Sequence, residues 1–279
     1  MPTAERPQLA RLQVGGRALQ IDLARPFSIA IEQRFDDLQP QWFGALPARS
    51  TALQSGAFNG RVAQGASCNC STLQVTPHCN GTHTECAGHL TREPLDVQQV
   101  TPAGLLPAVL LSIAPRRAAE CGEGSDPPPR PQDLLITRAA LAAAWPPALP
   151  FAPVALVIRT LPNDRKKLTR NYDREPAAFL SREAAEWLVA RGIEHLVLDV
   201  PSADRAADQG RLCAHRLFFG LPPGSTRLTD AARAQCTITE LAHIDAALAD
   251  GPWLLMLQLP AWAGEALPSR PLLYAVQSA

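Results

Sequence analysis

Hydrophobic and polar positions along the chain resolve into short strand-like runs with a few helices between them. Residues 11–23 alternate loosely around Gly15-Gly16, which predicts a hairpin of residues 12–14 and 18–23. Residues 27–31 continue as extended chain, residues 36–50 form a loop, and residues 73–76 and 109–113 are strands. Residues 116–132 hold Gly122, Gly124 and Pro127-Pro128-Pro129-Arg130-Pro131, a surface loop that can be neither helix nor inner strand. Thr137 caps a helix over 138–145, ended by Pro146-Pro147. The most readable unit follows. Residues 154–160 are a buried strand by their β-branched content. Ser181 is an N-cap, Ala185, Leu188 and Val189 stripe a helix over 184–190, Gly192 closes it, and residues 196–200 are a second strand. Strand, helix and strand in that order predict a crossover between parallel strands. Residues 254–259 and 272–276 add further strands. The class is α/β, or mixed α+β, with residues 1–279 as one domain around one core.

Composition narrows the function. Lys+Arg and Asp+Glu both count 26, so there is no electrostatic footprint for nucleic acid or an anionic membrane. No apolar run is long enough to span a bilayer, and no apolar secretion core follows Met1, so a cytoplasmic protein is expected. The seven cysteines are odd in number and argue against a disulfide framework. Cys121, Cys213 and Cys236 read as ordinary thiols, and Cys68 and Cys70 are too close to make a good disulfide.

The candidate chemistry lies near residue 80, in His78-Cys79-Asn80-Gly81-Thr82-His83-Thr84-Glu85-Cys86-Ala87-Gly88-His89. Thiol, imidazole and carboxylate so close together are costly to bury unless a cation binds among them, and zinc accepts all three as ligands. Cys79 and His83 are four apart, as are Glu85 and His89, so each pair could share a helical face. His83 and Glu85 could not, which asks for an irregular segment turning at Gly81 and Gly88. Buried thiols with a solvated Glu85 are the bland alternative, and spacing leaves both open. Cys68 and Cys70 could join Cys79 and His83 in a closed structural zinc site. His78, behind Pro77, reads as an extended approach and not a ligand. His195 and His243 read as surface histidines, and Arg165-Lys166-Lys167 as a solvated loop.

Residues 79–89 resemble the signature of the cyclase family that includes bacterial kynurenine formamidase and isatin hydrolase, His-x-Gly-Thr-His-x-Asp-x-Pro-x-His. Gly81, Thr82, His83 and His89 match; Cys79, Glu85 and Ala87 stand where the first His, the Asp and the Pro are expected. Leu198-Asp199-Val200-Pro201-Ser202-Ala203-Asp204 resembles the family's Asp-Thr-Pro-Ser-x-Asp, Ala214-His215-Arg216 its Ala-His-Arg, and Thr239-Glu240-Leu241 its late Glu. The resemblance implies a swivelling β/β/α fold, a homodimer and a small-molecule substrate. It implies Cys79, His83 and Glu85 as ligands of a first metal, and His89 and Glu240 completing a second around Glu85. His215, with His89 beside the chemistry, would be the acid/base, and Trp42 and Phe43 would line the substrate pocket. A thiolate ligand favours zinc, as one ion or two. The reaction so implied is hydrolysis of a C–N amide bond, in an arylformamide or cyclic amide, by water activated on the metal. A zinc-stabilised binding or structural protein of the same fold is the alternative.

Overall fold

The computed structural model describes residues 6–36 and 38–278. Its central sheet has nine strands, in the spatial order Ala266–Pro268, His83–Cys86, Thr237–Glu240, His195–Leu198, Ala155–Thr160, Leu106–Ile113, Gly251–Gln258, Arg270–Ala275 and Phe27–Ser28. The four strands from Thr237–Glu240 to Leu106–Ile113 run parallel. The strands outside them pair antiparallel. The class is mixed α+β, a curled sheet with few helices, as the pattern predicts.

The crossover unit is present. Ala155–Thr160 and His195–Leu198 are adjacent and parallel, joined through the helix Arg182–Ala190. Ser181 caps that helix by accepting from Ala184 N at 2.9 Å. At its end Gly192, at φ +73°, donates to Val189 O while Ile193 donates to Leu188 O, the paired bonds of a left-handed C-cap. Thr137 likewise accepts from Ala140 N at the head of Arg138–Ala144. The hairpin Leu9–Val14 and Arg17–Asp22 turns through Gly15 and Gly16, both at positive φ.

Burial explains the continuous apolar run at residues 154–160. Leu156, Ile158, Leu196 and Leu198 pack beneath the helices on one face of the sheet. Leu110, Val157, Val197, Leu255 and Leu273 form a second layer on the other. A parallel strand covered on both faces needs no polar alternation. Its one charge, Arg159, is spent on Ser112 Oγ, the carbonyls of Asp245 and Leu248, and Asp250.

Several expectations change. The strand predicted at 73–76 is Ser71–Gln74, exposed, and it pairs with Arg49–Ala52, which begins inside the predicted loop 36–50. His195 is buried, not at the surface, with Nδ1 2.9 Å from Thr237 Oγ1, and His243 is partly buried. Lys167 is buried too: its Nζ donates to Thr160 O, Thr160 Oγ1 and Asp199 Oδ2 at 2.6–2.8 Å. A lysine in a loop can be buried only when such partners take its charge. No helix among the described residues is long and apolar enough to cross a membrane.

Candidate active site

The site begins with the strand His83–Cys86. Residues two apart on a strand share a face, so His83 and Glu85 project together. Strand periodicity thus does what a helical face could not, within a segment that breaks after a helical turn at Gly81 and turns again through Gly88. Directly opposite His83 across the antiparallel ladder stands Glu240, which brings His83 Nε2 to 3.5 Å from Glu240 Oε2. The helical turn Pro77–Asn80 delivers His78, whose ring centroid lies 5.0 Å from that of His83 and 4.3 Å from that of His89. His89 comes from the 3-10 turn Ala87–Leu90, and His215 from the first turns of Cys213–Phe219. Four of the six histidines therefore meet at one place.

A neutral imidazole carries one N–H and one lone pair, so the partner of each outer nitrogen decides what the inner one can do. His215 Nδ1 lies 2.7 Å from Asp204 Oδ2. Asp204 also accepts from the backbone N of Ala214 and His215. His83 Nδ1 lies 3.0 Å from Gly81 O, and His78 Nε2 lies 3.1 Å from Glu265 Oε2. The inner atoms that remain are His78 Nδ1, His83 Nε2 and His215 Nε2, and they surround Glu85. His215 Nε2 is 2.8 Å from Glu85 Oε1, and His78 Nδ1 is 3.0 Å from Glu85 Oε2. These are close approaches without hydrogen-bond alignment: both buried Glu85 oxygens, and His83 Nε2, lack a hydrogen-bond partner. Buried donor atoms aimed at one small volume and left unpaired are what a bound divalent cation satisfies. His78, His83 and Glu85 form one group that can hold a metal, and Glu85, His89 and His215 another.

Charge reinforces the geometry. Burial alone would push Glu85 up, but at the low pH where it titrates the protonated rings of His89 and His215 hold it well below the usual carboxylate range. Burial works against protonation of His215, yet Glu85, Asp204 and Glu240 raise it well above an ordinary imidazole. His78 is likewise raised, against burial, to about 10 by Glu265 and Glu85. His89 differs, because burial lowers it and leaves it neutral near pH 7.

The cluster lies on the wall of a cavity of about 400 Å³. Trp42 and Phe43 line it, with Pro201 and Leu212. Glu240 is at hand, its Oε1 accepting from Ala203 N at 2.6 Å. Cys79 belongs to none of the metal-capable groups among the described residues. It touches the cavity but packs with Trp42, Tyr172 and Leu241, and its thiol is pushed up to about 11 by burial, then by Asp173 and Glu240. The imidazole that joins His83 and Glu85 is that of His78, one residue earlier. Cys68 and Cys70 are exposed, and no group able to hold a metal includes a cysteine among the described residues. The closed four-ligand site therefore does not form. Glu265 also escaped the sequence reading, since it stands 180 residues away and is brought in only by pairing of Ala266 with Glu85.

Known proteins share this fold. The Cyclase family model, described as "Putative cyclase", matches residues 21–205. The fold is similar to isatin hydrolase A from Labrenzia aggregata bound to benzyl benzoate, at 15% identity and TM-score 0.59 over 91% of this chain and 94% of that one. It is similar to a predicted metal-dependent hydrolase from Bacillus stearothermophilus, at 14% identity and TM-score 0.54 over 90% and 98%. An isatin hydrolase bound to the product analogue thioisatinate matches at 14% identity and TM-score 0.56 over 91% and 94%. No curated protein matches the sequence.

Proposed function

The chain belongs to the cyclase family, and from that premise we propose that it is a metal-dependent hydrolase of a C–N amide bond in a small molecule, an arylformamide or a cyclic amide. The observation that carries this reading is the set of unpaired inner atoms around Glu85, on the wall of a cavity of about 400 Å³. His78, His83 and Glu85 would hold a divalent cation, and His215, 2.8 Å from Glu85 and 3.5 Å from Glu240, would help to hold a second beside it. A cation bound there supplies positive charge that acidifies water and polarises a carbonyl.

The protein's own groups do the rest. Trp42 and Phe43 with Leu212 and Pro201 give a flat apolar substrate a surface to lie on and exclude water around the reacting carbonyl. Proton transfer falls to His89 rather than His215. His215 is buried, its Nδ1 is committed to Asp204, and its Nε2 faces two carboxylates. His89 lies on the cavity wall, is partly exposed and has no hydrogen bond to either ring nitrogen. It is neutral and free to take a proton from the attacking water at Nε2 and return it to the leaving nitrogen. A panel of formamides, cyclic imides and lactones assayed with zinc- and manganese-loaded protein tests the assignment. Turnover of the C–N substrates supports it; turnover confined to the lactones contradicts it.

A further inference from the structure

We infer that Glu265 is a positioning residue: its carboxylate takes the N–H of His78 Nε2 and thereby presents His78 Nδ1 to a bound cation. This rests on the metal reading above.

Glu265 lies outside the histidine-rich motif, and its side chain is 41% exposed, yet it is held firmly. Its own carbonyl accepts from Cys86 N at 3.1 Å. The preceding Gly264 donates to Asp96 Oδ1 and accepts from Val97 N, both at 2.8 Å. The carboxylate then meets His78 Nε2 with both oxygens, at 3.2 and 3.1 Å. Gly88 makes room for this approach, because a Cβ there would stand 3.0 Å from Glu265 Cβ and 2.6 Å from Leu95 O.

His78 lies between two carboxylates, both acceptors only, and once a cation has displaced its second proton the ring has one N–H to give. Alignment decides which receives it. The His78–Glu265 contact has hydrogen-bond geometry, and the His78–Glu85 contact does not. The lone pair is thus left on Nδ1, facing Glu85. His83 and His215 are held the same way, by Gly81 O and Asp204, so Glu265 supplies the acceptor for the third ring. A rival arrangement exists, in which His78, His89 and Glu265 hold a cation in an outer group. It would need His78 Nε2 as the ligand atom, which excludes the first arrangement for that ring.

Nitrogen-15 NMR of histidine-labelled protein loaded with zinc reads the two ring nitrogens separately. The expected spectrum has zinc on His78 Nδ1 and a proton on Nε2. Removing the acceptor in Glu265→Ala should weaken zinc binding about 10–100-fold, measured against a chromophoric chelator. Glu265→Gln should recover most of that loss, since its amide oxygen still accepts, and Gly88→Ala should weaken binding in the same direction. The unfolding midpoint of metal-free Glu265→Ala should match that of the parent protein. Zinc on His78 Nε2, or Glu265→Ala affinity within about twofold of the parent, would overturn the inference while leaving the metal site intact. Failure of the parent protein to take up zinc would overturn the metal reading itself and this inference with it.

Discussion

Glu85 Oε1 and His215 Nε2 lie 2.8 Å apart, and both side chains are closed off from solvent, at 0% and 2% exposure. Two such groups can share that space as an ion pair or as joint ligands of a cation. The pair is worth little to stability by itself, because desolvating both charges offsets their attraction. Its value lies in the vacant coordination it offers when the proton leaves.

Metal uptake should therefore release protons. In the metal-free protein His78, raised to about 10, and His215, raised well above 6.5, are charged at neutral pH, and a cation must displace those protons. Apparent affinity should rise with pH between about 6 and 9, by up to roughly tenfold per unit for each proton displaced. Calorimetry in buffers of different ionisation enthalpy counts the protons released at pH 7, with one to two expected in rough terms.

The two catalytic candidates should part company on substitution. His89→Ala should lower kcat by about 10²–10⁴ while the metal content stays at the parent level. His215→Ala should lose metal together with activity, because it removes a ring facing Glu85 and leaves Asp204 without its partner. Metal analysis of both purified variants beside their turnover separates the roles. Retained metal in His215→Ala with lost turnover would return the proton-carrying role to His215.

Buried His195 should set part of the acid sensitivity. Burial lowers it to about 4, whereas the unfolded chain titrates near 6.5. The folded state thus favours the neutral ring, and its contribution is complete above pH 6.5 and is lost as pH falls toward 4. The loss should reach about 3 kcal/mol at the lower end. His195→Asn, which keeps a donor near Thr237 Oγ1, should flatten the unfolding free energy between those two pH values in urea titrations.

Lys167→Met should cost about 3–5 kcal/mol, because it leaves Asp199 buried without its counter-charge. The double variant Lys167→Met with Asp199→Asn should recover part of that loss in the same urea titration. The loop concerned also carries Asn171, whose side chain donates to Gln41 Oε1 at 2.7 Å, next to Trp42. The single variant should accordingly raise KM as well.

Local order was legible in the sequence, and assembly was not. The crossover could be read because Ser181, Gly192 and the apolar run at 154–160 are signals contained within each element. His83 and Glu85 were visible as donors, but their shared face follows from a strand period that a helical reading of the spacing hides. His78 gives no sign of its role in the sequence, because the turn Pro77–Asn80 curls it back onto the strand, where an extended approach would carry it away. Lys167 looked like a solvated charge because its burial depends on Asp199, 32 residues on. Glu265 carries no local signal at all, since only the register of Ala266 against Glu85 brings it to His78.

The central claim is that one cation sits among His78, His83 and Glu85. Anomalous diffraction at the zinc edge, from crystals grown with zinc, tests it most directly. The account predicts a peak about 2.0–2.2 Å from His78 Nδ1, His83 Nε2 and a Glu85 oxygen. A zinc-soaked crystal with no peak there, or with its peak on Cys79 Sγ, would contradict it.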